Sequence, residues 1–217
     1  MTVLAFVRHA TTAATGVRLG GWTPGVHLDA AGRAQADALA KRWAKLPVAA
    51  VYASPLERTV ETARPLARAH GKRVRVRPSF GEVDYGEWTD RPLSQLRRRT
   101  GWRTVQATPS RWQFPGGESI RAAQLRAVDG TEELVAAHGD ELIVVVTHAD
   151  IIKSVVAHFL AMPLDAFQRI TVDPASTTLL VIPTEGTPTL RALNYTGPLT
   201  NLLSADSPAR AAREVRR

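Results

Sequence analysis

Residues 2–10 read TVLAFVRHA, a short apolar run that ends on an arginine followed at once by a histidine. A nearly continuous apolar run of this length is typical of a strand that is buried on both faces of a sheet. Arg8 and His9 are polar, and a buried polar group is destabilising unless it has a partner. The stretch therefore predicts a central strand whose last side chains have assigned partners.

Two further runs follow the same design. VAAVYA at residues 48–53 leads to Ser54, and ELIVVV at residues 141–146 leads to Thr147 and His148. Segments with helical periodicity lie between the runs, and strands that alternate with helices form a parallel sheet covered on both faces. The predicted fold class is α/β, a three-layer α/β/α sandwich with a mainly parallel central sheet.

Two helices have recognisable starts. Asp29 is a suitable N-cap for the first. Ser54, Pro55 and Glu57 occupy the N-cap, first and third helical positions of a capping box, which predicts a second helix that ends near His70. The remaining predicted elements are an edge strand at 73–78, a helix at 119–138 weakened by Gly130, a helix at 151–161, and closing strands at 176–182 and 189–194.

Length and composition bound the domain organisation. The chain has 217 residues, of which 44% are hydrophobic and 22% are charged, as in an ordinary globular protein. We predict a single domain over residues 1–203, with a lid inserted at about 89–119, where the helical and strand patterns fail. Residues 204–217 are predicted to form a basic, disordered tail.

The absence of cysteine excludes disulfides, thiolate metal ligands and cysteine nucleophiles. The first apolar run has no basic region ahead of it and is ended by Arg8, so neither a signal peptide nor a membrane span is predicted. We therefore expect a cytoplasmic protein without a membrane partner.

The formal net charge of +8 raises the question of a polyanionic partner. Part of the excess lies in the arginine run at 97–99 and in the arginine-rich tail, and the rest is scattered among acidic residues. A solvated surface explains this distribution, so no nucleic acid is expected as a partner. A small anionic substrate fits the excess better.

Several cationic or proton-bearing side chains are predicted to meet at one edge of the sheet, because ligands of parallel α/β sheets bind beyond the carboxyl ends of the strands. Arg8, His9 and His148 follow strands directly, and Arg58 lies one turn into the helix after a third strand. This cluster would repel itself unless it surrounded an anion with several acceptor oxygens, for which phosphate is the obvious candidate. The start of the helix at Ser54 would favour the same anion.

Five ordered motifs resemble those of the histidine phosphatase superfamily, also called phosphoglycerate mutase-like. The resemblance covers about residues 1–185, and five motifs in the right order are specific where a lone Arg-His pair is not. The motifs are RHA at 8–10, SPLERTVETA at 54–63, GEVDYGEW at 81–88, FPGGES at 114–119 and THADIIK at 147–153.

The resemblance implies a role for each candidate catalytic residue. His9 is the expected nucleophile, which forms a phosphohistidine, and Arg8, Arg58 and His148 are expected to clamp the phosphoryl oxygens. Glu82 is the expected proton donor to the leaving oxygen and then the base that activates water. The arginines supply positive charge, so no metal or other cofactor is expected.

The residues that border the substrate depart from the usual family pattern. Thr12 and Thr15 stand in a loop where many members have a threonine and an asparagine, and the common Gly-Gly after the second histidine is Ala149 and Asp150. These differences bear on which substrate binds rather than on the chemistry. The expected substrate-binding residues are Thr12, Thr15, Gly21 and Ala149.

The expected function is a metal-independent phosphatase that hydrolyses a small phosphomonoester and releases inorganic phosphate. A phosphoglycerate mutase-type phosphotransferase and a non-catalytic phosphate-binding module are the alternatives, and Val83 stands where mutases usually have an arginine. Asp84 and Glu87 lie close to Glu82 and are alternative proton carriers, between which the resemblance selects Glu82. A homodimer is compatible with the sequence.

Overall fold

A computed structural model, which describes residues 1–199, shows one six-stranded sheet with helices on both faces. The strands are β1 (Thr2–Arg8), β2 (Val48–Ala53), β3 (Val74–Val76), β4 (Leu142–Thr147), β5 (Thr177–Ile182) and β6 (Thr189–Tyr195). Their order across the sheet is β3-β2-β4-β1-β5-β6, with β3, β2, β4 and β1 parallel. Strand β5 pairs antiparallel with β1 and with β6, so the sheet is mixed but mainly parallel, as predicted.

The helices form the two outer layers. They are α1 (Ala30–Trp43), α2 (Glu57–Ala69), α3 (Leu93–Leu96), α4 (Thr100–Ala107), α5 (Ile120–Ala137) and α6 (Ala149–Phe159). Alternate side chains of each central strand face opposite layers. Val7 of β1 packs in the core cluster of α1 and α2, whereas Phe6 packs in that of α5 and α6. The predicted three-layer fold is confirmed, and no helix within residues 1–199 is long and apolar enough to cross a membrane.

The start of α2 corrects one prediction. Asp29 caps α1 as expected, because its carboxylate accepts a hydrogen bond of 2.6 Å from the Gly32 N–H. The second helix, however, begins at Glu57 with an extended Leu56 before it, rather than being capped by Ser54. The Ser54 hydroxyl lies 2.8 Å from His148 Nε2 and is therefore committed to a contact outside the helix.

The segment at 89–119 is ordered around an aromatic cluster. It contains α3 and α4, and its Trp102, Trp112 and Phe114 pack against Trp88 with ring centroids 5.2 to 6.4 Å apart. These rings therefore hold the segment onto the core instead of facing a ligand. The predicted tail at 204–217 and the end of the predicted domain lie outside the described residues.

Replacement of Gly130 by alanine is expected to destabilise the fold. A Cβ at this position in α5 would lie 2.7 Å from Ser79 Cβ, which cannot move without the backbone. Alanine favours an exposed helix by about 1 kcal/mol over glycine, but overpacking of this kind costs roughly 1–3 kcal/mol. Urea denaturation would measure the change. Gly139→Ala is the matched control, because nothing lies within 4 Å of its added Cβ, and equal stability of the two variants would contradict the packing argument.

Candidate active site

A cleft of about 230 Å³ opens at the carboxyl ends of the central strands. Three neighbouring strands end side by side there, namely β2, β4 and β1. Two hydrogen bonds just past their ends show this alignment: the His9 N–H donates to the Thr147 carbonyl, and the Ser54 N–H donates to the Val146 carbonyl. Arg8, His9, Arg58 and Glu82 line the cleft. The topology thus brings together residues that are far apart in the chain, as the parallel pattern predicted.

His9 is buried, and one of its two ring nitrogens is unprotonated and keeps its lone pair. Its Nδ1 lies 2.8 Å from the Ala10 carbonyl oxygen, which can only accept, so Nδ1 carries the proton and Nε2 does not. Burial, the Arg58 guanidinium and, more weakly, Arg8 lower the pKa of His9 to about 3, against the opposing effect of the Ala10 hydrogen bond. The imidazole is therefore neutral at physiological pH, the form that can act as a nucleophile.

The two arginines are fixed by the backbone and keep donors free. Arg8 Nη1 donates to the Val172 carbonyl at 2.7 Å, and Arg58 Nη2 donates to the Gly21 carbonyl at 2.8 Å. Arg8 Nε and Arg58 Nη1 are buried without a partner among the described residues. A buried donor left unpaired costs about 1–3 kcal/mol, so both groups are suited to bind the oxygens of a phosphoryl group.

His148 lies fully buried beside His9, with ring centroids 5.3 Å apart. Arg58 Nη2 lies 3.3 Å from His148 Nδ1, and a guanidinium only donates, so Nδ1 accepts and Nε2–H donates to the Ser54 hydroxyl. Burial and the Arg58 charge lower the pKa of His148 well below its usual range. His148 contacts the residues that line the cleft without itself lining it.

Glu82 is the carboxylate that the structure places in the cleft beside the histidines. Its Oε2 lies 3.7 Å from His148 Nδ1, and its side chain is only 12% exposed. Burial and then the neighbouring Asp150 charge raise the pKa of Glu82 to about 7, although Arg58 opposes the rise. The alternatives Asp84 and Glu87 are exposed and do not line the cleft. Only Glu82 among these three is positioned for proton transfer.

Two residues that sequence reasoning missed hold the backbone at Glu82. Trp22 Nε1 and Arg126 Nη2 donate to the Glu82 carbonyl at 2.6 and 2.8 Å. Arg126 also donates to the Gly81 carbonyl at 2.8 Å and forms an ion pair with Glu118. Because these contacts fix the backbone of residue 82, they orient its carboxyl group toward the cleft.

All four predicted substrate-binding residues line the cleft, namely Thr12, Thr15, Gly21 and Ala149. Thr15 Oγ1 accepts a hydrogen bond of 2.9 Å from the Thr12 N–H and lies 3.1 Å from Thr12 Oγ1, so the loop is closed on itself. His27, farther along the same loop, lies outside the cleft and pairs with Glu61 at 2.5 Å.

The cleft is also lined by residues outside the four expected substrate-binding residues, among them Arg18, Tyr85, Leu93 and Asp150. Of these, Leu93 comes from the segment 89–119 that was expected to form a lid, and it is the sole lining residue from that segment. Tyr85 and Asp150 belong to two of the motifs, but only their contacts show their place in the cleft. Within residues 1–199, no group of three or more His, Asp or Glu side chains is arranged to hold a metal ion.

Comparisons with known proteins identify the family and the fold of the chain. A family model described as the histidine phosphatase superfamily (branch 1) matches residues 4–196. Phosphoserine phosphatase 1 of Hydrogenobacter thermophilus is 28% identical over 147 residues, which cover 67% of this chain and 70% of the relative. The structure of a mycobacterial glucosyl-3-phosphoglycerate phosphatase has a TM-score of 0.79 and 26% identity, covering 89% of this chain and 99% of that one.

The fold is shared more widely. The structure of Bacillus stearothermophilus YhfR has a TM-score of 0.84 at 24% identity, and the match covers 92% of this chain and all of the other. The family match and the relatives named as phosphatases confirm the predicted enzyme class, a phosphoric monoester hydrolase. The chain belongs to the histidine phosphatase superfamily, branch 1.

Proposed function

We propose that the protein is a metal-independent phosphatase that hydrolyses a small phosphomonoester through a phosphohistidine on His9. The neutral imidazole of His9, whose Nε2 lone pair shares a cleft with the free donors of Arg8 and Arg58, carries the proposal. A nucleophile surrounded by fixed positive charge favours attack on a phosphoryl group, whose transition state spreads negative charge over its oxygens. The cleft volume of about 230 Å³ favours a small substrate.

In the first step, Nε2 of His9 forms a bond to phosphorus while the bond from phosphorus to the ester oxygen breaks. Arg8 Nε and Arg58 Nη1 donate to the nonbridging oxygens. Glu82, with a pKa of about 7, holds a proton in a substantial fraction of molecules at neutral pH and transfers it to the departing oxygen. The alcohol leaves, and His9 carries the phosphoryl group.

In the second step, the Glu82 carboxylate left by the first step takes a proton from water. The water oxygen bonds to phosphorus as the bond from phosphorus to Nε2 breaks, which releases inorganic phosphate and restores protonated Glu82. One group thus serves as acid and then as base. The same positive charges that assist the transfer to His9 also assist this hydrolysis.

Hydrolysis is favoured over return of the phosphoryl group to another hydroxyl by the names of the relatives, which are those of phosphatases. Val83 also favours hydrolysis, because valine provides no charged group next to Glu82 that could hold the acid group of a phosphorylated intermediate. Incubation with 3-phosphoglycerate and a bisphosphate primer separates the two reactions. Interconversion of phosphoglycerates without release of phosphate would refute the hydrolase.

A panel of phosphomonoesters, assayed for inorganic phosphate with a strong chelator present, tests the proposal. We expect turnover of at least one ester at the same rate with and without chelator, because Arg8 and Arg58 provide the charge that a metal would otherwise provide. Loss of activity in chelator, restored by one added divalent metal, would contradict metal independence. Binding of phosphate without any turnover would favour the non-catalytic alternative.

A further inference from the structure

A second carboxylate, Asp150, lines the cleft in addition to Glu82. It is the second residue of α6, next to Ala149, and its side chain is 20% exposed. The proposed reaction does not use it, because Glu82 alone acts as acid and base. A negative charge in a cleft that binds an anion is unfavourable by itself. The Asp150 carboxylate is therefore better suited to a substrate that also carries a positively charged group.

The Asp150 carboxylate is held in place by two donors. The Tyr85 hydroxyl donates to Oδ2 at 3.1 Å, and Lys153 Nζ donates to Oδ1 at 3.3 Å. Tyr85 is buried and packs edge-on against Phe114, with ring centroids 5.0 Å apart. Lys153 Nζ also donates to Gln168 Oε1 at 3.2 Å. A carboxylate fixed in this way keeps acceptor capacity for a ligand, since each oxygen can accept more than one hydrogen bond.

Asp150 lines the same cleft as Glu82, the expected proton donor to the leaving group. Glu82 has to reach the ester oxygen to protonate it, so a charged group close to Glu82 in the same cleft is also close to the leaving group. The Asp150 charge is near enough to contribute to the raised pKa of Glu82. The phosphoryl group itself belongs with Arg8 and Arg58, whose free donors are described above.

The cleft offers little positive charge to a leaving group. Arg18 also lines it, but its guanidinium is paired with the Asp90 carboxylate at 3.0 Å and with the Asp90 carbonyl at 2.8 Å. Both members of this pair are about half exposed, so its field is screened by solvent. An anionic leaving group would therefore meet the Asp150 carboxylate, whose charge is offset only in part, by Lys153.

We propose that Asp150 is a specificity-determining residue, which favours phosphomonoesters whose leaving group carries an ammonium near the ester oxygen and disfavours those that carry a carboxylate there. This inference rests on the proposed phosphatase function and narrows its substrate class. Lys153 offsets part of the Asp150 charge, so the discrimination is moderate rather than absolute. Repulsion of like charges in a partly desolvated cleft is an effective way to exclude a competing substrate.

Three esters of similar size test this inference, namely phosphoethanolamine, ethyl phosphate and phosphoglycolate. We expect kcat/KM to decrease in that order. In Asp150→Asn, which keeps the shape and an acceptor for Tyr85, the ratio of kcat/KM for phosphoethanolamine to that for phosphoglycolate should fall by about 10-fold or more. Asp129→Asn, the same change at an exposed residue outside the cleft, should leave the ratio unchanged.

Ratios are the decisive readout because Asp150 also affects the proton of Glu82, and that effect is common to all three esters. The discrimination among the three esters should appear in kcat/KM, which reports the transfer of the phosphoryl group to His9. It should not appear in the hydrolysis of the phosphohistidine, because the leaving group has already departed by then. Equal ratios in the wild type and Asp150→Asn would overturn the inference, while turnover of ethyl phosphate would leave the proposed function standing. Failure of the wild type to hydrolyse any phosphomonoester would overturn both.

Discussion

His9→Ala is expected to abolish phosphate release, with a loss of about 10⁴-fold or more in kcat. The variant keeps Arg8 and Arg58 and so keeps the charge that binds a phosphoryl group, but it lacks the nitrogen that attacks phosphorus. His148 cannot replace it, because its Nε2 is committed to Ser54 and its ring is fully buried. Initial rates of phosphate release from an ester that the wild type hydrolyses would measure the loss.

Chemical trapping distinguishes loss of the nucleophile from loss of the fold. Wild-type protein quenched during turnover of a labelled ester should carry label that is labile to acid and stable to alkali, and the label should map to His9. The control His158→Ala removes an exposed imidazole outside the cleft and should retain both turnover and label. Label on another residue, or full turnover by His9→Ala, would show that the reaction proceeds without the proposed intermediate.

The strands and the positions of the candidate catalytic residues were accessible from sequence because both depend on local patterns. Strand β4 is buried along its whole length and β1 at five of its seven residues, and continuous apolar sequence is what such strands require. The rule that parallel strands present their carboxyl ends at one edge then places His9 and His148 together. That inference needed no knowledge of the order in which the strands pair.

Ser54 shows where local reasoning fails. The sequence around it fits a capping box, but its hydroxyl instead contacts His148, which is 94 residues away in the chain. The Ser54 oxygen binds the buried His148 imidazole at 2.8 Å, and its bond toward the start of the helix, from the Leu56 N–H, is a long one at 3.4 Å. The helix consequently begins at Glu57, and the side chain of Arg58, rather than the helix end at Ser54, reaches the cleft.

The supports of Glu82 were inaccessible for a related reason. Trp22 and Arg126 act through the Glu82 backbone carbonyl, from 60 and 44 residues away. Every residue has such a carbonyl, so the sequence contains no sign of which donor will bind which acceptor. Asp150 was visible as a departure from the family pattern, yet its contact with Tyr85 and its place beside Glu82 become known only from the structure.

Glu82→Gln is expected to lower kcat/KM for ethyl phosphate by about 10²- to 10⁴-fold, because glutamine cannot give a proton to the departing alkoxide. The loss should be much smaller for p-nitrophenyl phosphate, since p-nitrophenolate is stable enough to depart without a proton. Glu87→Gln is the matched control, because Glu87 is exposed and does not line the cleft. Equal losses for the two esters in Glu82→Gln would assign proton transfer to another group.

The pH profile gives an independent readout of the same proton. Burial and the Asp150 charge raise the pKa of Glu82 to about 7, so the protonated form that the first step needs is present below that pH and is lost above it. The wild-type kcat/KM for ethyl phosphate should therefore fall as pH increases through about 7, and this decrease should disappear in Glu82→Gln. Asp150→Asn removes one cause of the raised pKa and should move the decrease to lower pH, whereas a decrease that persists unchanged in Glu82→Gln would exclude Glu82 as its source.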